Sequence, residues 1–427
     1  MTRTRPMPNV IVGIFLVLFT LEFVVELVLN ELNIRQVRKS RAAQAVPEFF
    51  QDRISKDEYE QSARYTLAKS RFRRWSEVYG RIVILFLLFG GLLPLLENLI
   101  IAMLPQSLAN SHIRGVLFCL AVGAILSLAS LPIDLYSTFG IESRFGFNKT
   151  TLSLYFSDKL KGLILGILIG GPFLFVVLWL MQATGEYWWI WAFVFITLFQ
   201  LLMIIIFPTF IAPWFNKFEP LASGELRDRI LALAKQIGFK SSGIFLMDGS
   251  KRSAHSNAYF TGIGRAKRIV LFDTLIEQMS IEQGLAVLAH EMGHYKMKHV
   301  RRMMLMQGLI LFVGLYILSR LVNYEPVFSA FDLQPSNHAA LVLFSLLSGP
   351  LTFYLAPLVN LLSRKHEYEA DRFAVITLGK GKPMEEALIN LTVKNLSNLT
   401  PNPWYSAYHY SHPTPTERIG AIRRITT

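Results

Sequence analysis

The stretch Leu288-Ala289-His290-Glu291-Met292-Gly293-His294 decides how this chain is read. It carries the pattern H-E-x-x-H inside a segment whose apolar spacing is helical. Two histidines at i and i+4 share one side of a helix, close enough for their ring nitrogens to hold one metal ion. The glutamate between them lies on that side too, placed to take a proton from water without itself binding the ion. Zinc brings the pKa of water it holds from about 15.7 down to roughly 7, which makes a nucleophile available at neutral pH. The plain alternative is a surface helix that happens to carry two histidines. Only the surroundings of the motif discriminate.

Those surroundings are apolar. The chain has 427 residues, 52% hydrophobic and 17% charged, where a soluble domain carries roughly 25% charged residues. Mean hydropathy is +0.39. Such a balance points to a lipid bilayer as the main partner. A net charge of +13 would otherwise suggest nucleic acid, but in so apolar a chain Lys and Arg more often crowd cytoplasmic loops. No nucleic-acid partner is expected. The first apolar run, Val10 to Leu29, is long enough to span and is followed by no small-residue cleavage site, so it reads as a helix and not a signal. The single cysteine, Cys119, excludes an internal disulfide and reads as a small packing residue.

Runs of spanning length fall at Val10–Leu29, Arg81–Leu104, Val116–Ile133, Leu160–Gln182, Trp188–Pro208, Met304–Val322 and Ala340–Leu362, which predicts seven crossings. The Asn30–Gly80 connection is dense in base, with Arg35, Arg38, Lys39, Arg41, Arg64, Lys69, Arg71, Arg73 and Arg74. The opposite connections, Pro105–Gly115, Ala183–Tyr187 and Asn323–Ala339, hold little beyond Arg114. The positive-inside rule then puts the amino terminus outside and the zinc motif in the cytoplasm, with Arg3 and Arg5 dissenting. Glu22, Glu26, Glu97 and Gln200 lie within spans. Groups of this kind face other helices or a watery cavity, or else reach the headgroups from a helix end. Trp188, Trp189 and Trp191 read as an interfacial belt.

Between spans five and six, Thr209–Arg302 is less apolar. Gly224–Gly238 reads as an amphipathic helix through Leu226, Ile230, Leu233 and Ile237. Ile244–Met247, Arg268–Phe272 and Ala258–Phe260 read as strands, with a turn at Gly262-Ile263-Gly264. Ser280 with Gln283 resembles a capping box opening the motif helix. The pattern then carries that helix on through Lys296, Lys298, Arg301 and Arg302 into the sixth span. After span seven come Glu367-Tyr368-Glu369-Ala370-Asp371, a helical stretch near Met384–Asn395 and a tail broken by prolines.

Two histidines need a third protein ligand, with a fourth position left open. Glu367 and Asp371 are i and i+4 on one helix face, and Glu369 points nearly the other way. Glu367 is therefore a candidate ligand, with Asp371 hydrogen-bonded to a ligand histidine. The bland reading is that these acids solvate a helix leaving the membrane beside Arg364 and Lys365. His366 and His299 are rival ligands, each off the face this geometry needs.

At this point the chain resembles a known family. His290-Glu291-Met292-Gly293-His294, followed by Ser363-Arg364 and Glu367-Tyr368-Glu369-Ala370-Asp371, is similar to the type I CAAX prenyl proteases, seven-span zinc endopeptidases of the gluzincin group. Further blocks agree in order. They include Tyr136-Ser137-Thr138-Phe139, Gly146-Phe147-Asn148-Lys149, Phe210-Ile211-Ala212-Pro213 with Phe215-Asn216-Lys217-Phe218, the run from Asp248 to Phe260, Lys267 to Leu271, and Ser411-His412-Pro413 through Glu417-Arg418. The resemblance implies one Zn2+ held by His290, His294 and Glu367, Glu291 as base, and Asp371 behind a ligand. It implies that Asn257 backs the substrate beside an edge strand, and that His412 and Arg418 line the site near the scissile carbonyl. It also implies a ring of seven helices around a water-filled chamber, which Glu22, Glu26 and Glu97 would face.

The expectation is a mostly α polytopic membrane protein with seven transmembrane helices and a polar chamber, capped by a cytoplasmic zinc-peptidase domain with a small β-sheet. Its parts are residues 1–208 with spans one to five, 209–303 with the zinc motif, 304–362 with spans six and seven, and 363–427 completing the site. The expected reaction is hydrolysis of peptides or membrane proteins at the inner membrane of a bacterium or the endoplasmic reticulum of a eukaryote. If substrates are prenylated, it removes the three residues after the lipidated Cys. The short loop between spans six and seven and the short sequence after Arg418 lean towards a bacterial member, hence towards quality control without prenyl specificity. A rival from another class is a transporter or channel gated by a metal at His290 and His294. Glu291 argues against it, because a gate needs ligands and has no use for a base.

Overall fold

A computed structural model describes residues 6–109, 111–262 and 267–426. Arg3 and Arg5, and Ile263-Gly264 of the expected turn, lie outside the described residues. Among those described, five helical stretches are long and apolar enough to cross a membrane: Val10–Ala42, His112–Glu142, Leu152–Ala183, Gly185–Trp214 and His299–Leu321. Their outer faces keep apolar side chains such as Leu128, Leu160, Leu198 and Leu305 exposed. In a bilayer that face is already solvated, so nothing drives it inward.

The remaining two expected spans are bent. Lys56–Phe89 and Leu92–Met103 meet at 56°, and Asn337–Leu347 and Gly349–Leu378 at 53°. The first bend needs Gly91, whose φ of 71° only glycine adopts without strain. At the second, Pro350 opens the new helix, where its missing N–H is no loss. A hydropathy window averages composition and is blind to direction, so each pair reads as one span in sequence.

The polar groups within the spans divide in two. Glu22 and Glu26 line a cavity of 190 Å³ with Arg73 and Glu77. Glu26 lies 2.8 Å from Arg73 Nε, and Glu22 lies 3.2 Å from Arg81 Nη2. Glu97 does not join them. It is buried beside the core of Phe118, Leu93 and Leu343, with Oε1 3.0 Å from Nε2 of the equally buried His338. A carboxyl in so apolar a place needs a partner, and the imidazole supplies it. Trp188 is also packed in this core, whereas Trp191 is exposed.

The less apolar segment forms a four-stranded sheet of order β1-β2-β4-β3, with β1 Phe218–Pro220, β2 Gly243–Met247, β3 Ala258–Thr261 and β4 Arg268–Phe272. β2 and β4 are parallel; the other pairings are antiparallel. The central β4 buries Ile269, Val270 and Leu271 in succession, as a strand covered on both faces does. β1 escapes a sequence reading because it is three residues long and ends in Pro220, tolerable only on an edge. Helix Glu225–Ile237 lays Ile230, Leu233 and Ile237 against the core that also holds Leu288 and Met292.

Candidate metal centre

The motif helix, Ile281–Lys296, starts where expected. Ser280 Oγ accepts from Gln283 N and Gln283 Oε1 accepts from Ser280 N, at 3.3 and 3.2 Å. Such a cap contributes about 1 kcal/mol. Its end differs from the sequence reading. Lys298 takes φ 60°, breaking the helix before a new one begins at His299. A left-handed lysine costs roughly 1–2 kcal/mol, which tertiary contacts must offset and which local propensity does not foretell.

The long helix Gly349–Leu378 crosses the motif helix closely, with Ala289, Met292 and Ala370 all 0% exposed. A Cβ on Gly293 would sit 3.2 Å from Ala370 Cα and 3.1 Å from Phe373 Cδ1. The absent side chain thus sets the helix separation, and with it the distance of Glu367 from the histidines.

The three candidate ligands converge. His290 Nε2 and His294 Nε2 are 3.1 Å apart, and Glu367 reaches them with Oε2 at 3.5 Å and Oε1 at 3.2 Å. Ligands bound tetrahedrally at 2.0–2.1 Å stand about 3.3 Å from one another, so the spacing fits a zinc ion. Glu367 Oε2 is buried and accepts no hydrogen bond. Two imidazole nitrogens with a buried carboxylate are a donor set that suits a zinc ion. These are also the only His, Cys, Asp and Glu among the described residues whose ligand atoms gather this tightly.

Asp371, 1% exposed, accepts from His290 Nδ1 at 2.8 Å and holds Arg418 by two bonds, Nε at 2.8 Å and Nη2 at 2.6 Å. Arg418 Nη1 lies 3.2 Å from Glu367 Oε2. Its guanidinium is thus engaged behind the ligands. His412 sits on the open side, its side chain 63% exposed and Nε2 3.4 Å from Glu367 Oε1. Glu291 is half-buried on the motif helix, and burial pushes its carboxyl above the usual range against the pull of His290 and His294. Asn257 is exposed at the start of β3, the sheet edge, and its Oδ1 accepts from Ala258 N. His412 and Arg418 line one cavity of 840 Å³ that reaches Tyr65, Lys69 and Arg73.

One contact escapes a sequence reading. His299 does not reach the ligand cluster as a rival. It lies behind His294, with Nδ1 3.0 Å from His294 Nδ1 and Nε2 2.9 Å from Glu369 Oε2. His366, the other rival, stacks on the His299 ring at 4.1 Å. On a continuous helix, positions five apart face different ways. The break at Lys298 swings His299 back, and nothing in the local pattern signals it.

A multi-pass membrane helix array with H-E-x-x-H and a downstream glutamate at one centre defines a membrane metallopeptidase, a hydrolase. Comparison with known proteins agrees. A profile described as "CAAX prenyl protease N-terminal, five membrane helices" matches residues 36–217, and "Peptidase family M48" matches residues 220–426. The chain belongs to peptidase family M48, with the CAAX prenyl protease amino-terminal region. It is 38% identical over 427 residues to the CAAX prenyl protease 1 homolog of Arabidopsis thaliana, covering 98% of this chain and 97% of that one. It is 36% identical over 416 residues to CAAX prenyl protease 1 of Saccharomyces cerevisiae, covering 92% and 91%. The crystal structure of S. mikatae Ste24p superposes with a TM-score of 0.88 at 34% identity, over 99% of this chain and 100% of that one. Metallopeptidases of this family are zinc-dependent.

Proposed function

We propose that this protein cleaves peptides at a single zinc ion held by His290, His294 and Glu367, and that its substrates carry a prenylated cysteine near the carboxy terminus. The observation that carries the reading is the convergence of those three ligands on the helix that carries Glu291, with His412 and Arg418, which contact Glu367, also lining a cavity of 840 Å³. When bound, zinc supplies a Lewis acid that polarises the scissile carbonyl and acidifies water.

The chain's own groups do the rest. Glu291 takes the proton from the attacking water and delivers it to the leaving amine, so one carboxyl serves as base and then acid. An elevated carboxyl suits that exchange. Asn257 and the free edge of β3 hold the substrate backbone in extended form. His412, exposed on the open side, donates to the oxygen of the tetrahedral intermediate. Arg418 and Asp371 act from behind, fixing Glu367 and His290. The relatives named CAAX prenyl protease support the lipidated substrate.

In this reading each bent pair crosses as one span, giving seven, and the centre faces the cytoplasm, the side of the base-rich Asn30–Gly80 segment. Residues 1–208, 209–303, 304–362 and 363–427 then serve as the membrane array, the motif segment, the last two spans and the segment that closes the site.

The test is a cleavage assay with matched prenylated and unprenylated peptides, with and without a chelator. The expected outcome is release of the terminal tripeptide from the prenylated peptide only, abolished by chelator and by Glu291→Gln while zinc stays bound. Equal cleavage of both peptides would replace prenyl processing by a broader membrane proteolysis. Undiminished cleavage by Glu291→Gln would remove the assigned base.

A further inference from the structure

His290 and His294 differ in what stands behind them. The outer nitrogen of His290 meets a carboxylate directly, at Asp371. The outer nitrogen of His294 meets another imidazole, and only beyond it a carboxylate, Glu369. His299, the ring between them, is 2% exposed. His366 lies parallel against its face, with an interplanar angle of 11°. Glu369 is flanked by Arg302 Nη1 at 3.3 Å and Lys365 Nζ at 3.9 Å, both of which favour its ionised form.

Hydrogen-bond chemistry leaves one consistent arrangement. An ionised Glu369 only accepts, so His299 Nε2 carries a proton and donates. A neutral His299 then has a bare Nδ1, which only accepts. His294 Nδ1 must therefore carry its proton and donate, which leaves His294 Nε2 bare and facing the ligand cluster. The reverse tautomer of His299 would put two protons between the Nδ1 atoms or force the His294 proton onto Nε2. In the latter case the nitrogen facing the cluster is blocked.

We propose that His299 and Glu369 form a relay that holds His294 in the tautomer presenting Nε2 to the metal, as Asp371 does for His290. This rests on the reading of His294 as a zinc ligand. The residues are positioning residues: neither touches substrate or ion. The relay also joins the motif helix, the spanning helix begun at His299 and the helix of Glu367, so the ligand's orientation is tied to how three helices pack.

The test measures zinc dissociation by chelator competition on the full-length protein in detergent. His299→Leu is expected to weaken zinc binding by about 10- to 100-fold, the effect of losing such a partner behind a ligand. His299→Asn places an amide oxygen where Nδ1 stood and can still accept, so it is expected to stay within about threefold of the parent. Equal losses in both variants would mean that His299 only fills space and would overturn the relay. So would a His299→Leu protein that holds zinc as tightly as the parent. If His299→Leu fails to fold, Glu369→Leu decides: its side chain is 25% exposed, and it should still weaken binding, by at least about threefold. Unchanged affinity there overturns the proposal. A parent protein that binds no zinc at all would instead sink the metal reading itself.

Discussion

His290 Nδ1 lies 2.8 Å from Asp371 Oδ1, a buried bond between residues 81 positions apart in the chain. The same carboxylate grips Arg418 through two nitrogens, so one aspartate orients a candidate ligand and neutralises a buried guanidinium. Asp371→Asn keeps the volume and removes the charge. Zinc affinity is expected to fall about 10- to 100-fold, read by chelator competition. Asp371→Leu additionally removes both hydrogen bonds that Arg418 makes to this carboxylate, leaving Glu367 Oε2 beside it, and is expected to cost up to about 3–5 kcal/mol and to lower the thermal midpoint. A Leu variant as stable as the parent would show that the pair carries no weight.

Gly293 is the second pressure point. A methyl there meets Ala370 backbone at 3.2 Å, and backbone cannot turn aside as a flexible side chain can. Gly293→Ala is expected to push the two helices apart by a few tenths of an ångström and loosen zinc binding. The helix itself would gain up to about 1 kcal/mol in propensity. Lower zinc affinity with little loss of fold is the predicted signature. Affinity equal to the parent would mean the helices yield without moving Glu367.

Zinc binding should depend on pH with a definite sign. Burial alone pushes the His294 imidazole down, but its hydrogen bond to Glu367 and the charges of Glu367 and Glu291 outweigh it and hold it above the ordinary histidine range. In the metal-free protein this ring therefore keeps its proton to a higher pH than an isolated histidine. Zinc must displace that proton. Affinity should be full at high pH and fall about tenfold per pH unit once the pH drops below the raised pKa. Chelator competition from about pH 5.5 to about pH 8.5 covers the histidine range. A flat profile would contradict the prediction.

Far from the centre, Glu97 and His338 form a buried pair 3.0 Å apart. Removing either partner leaves a polar group without compensation in an apolar core. Glu97→Leu or His338→Phe alone should each destabilise by about 3–5 kcal/mol. The double change should cost less than the sum of the two. Unfolding midpoints of the four proteins, read as a double-mutant cycle, test this, and additive losses would deny the coupling.

The sequence carried a large share of this because its signals are local. Five of the apolar runs of spanning length, the face of helix Glu225–Ile237 and the Ser280–Gln283 cap depend on near neighbours along the chain, and each stands where the pattern put it. The i and i+4 spacing of His290 with His294, and of Glu367 with Asp371, likewise follows from helix geometry alone. The signals failed where direction or contact decides. Hydropathy saw no bends at Gly91 or Pro350. The family resemblance counted Glu97 among the chamber candidates, because nothing nearby announces His338, 241 positions away.

By itself, then, the sequence determined that the chain lives in a membrane, which side chains are candidates to hold a metal and which face of each helix bears them, since periodicity is a property of the backbone. Tertiary structure alone decided that the two faces meet. The glycine at Gly293 lets the helices approach, Arg418 and Asp371 lock the back of one histidine, and the turn at Lys298 brings His299 behind the other. Those contacts join distant segments, and their energy exists only once packing has brought them together.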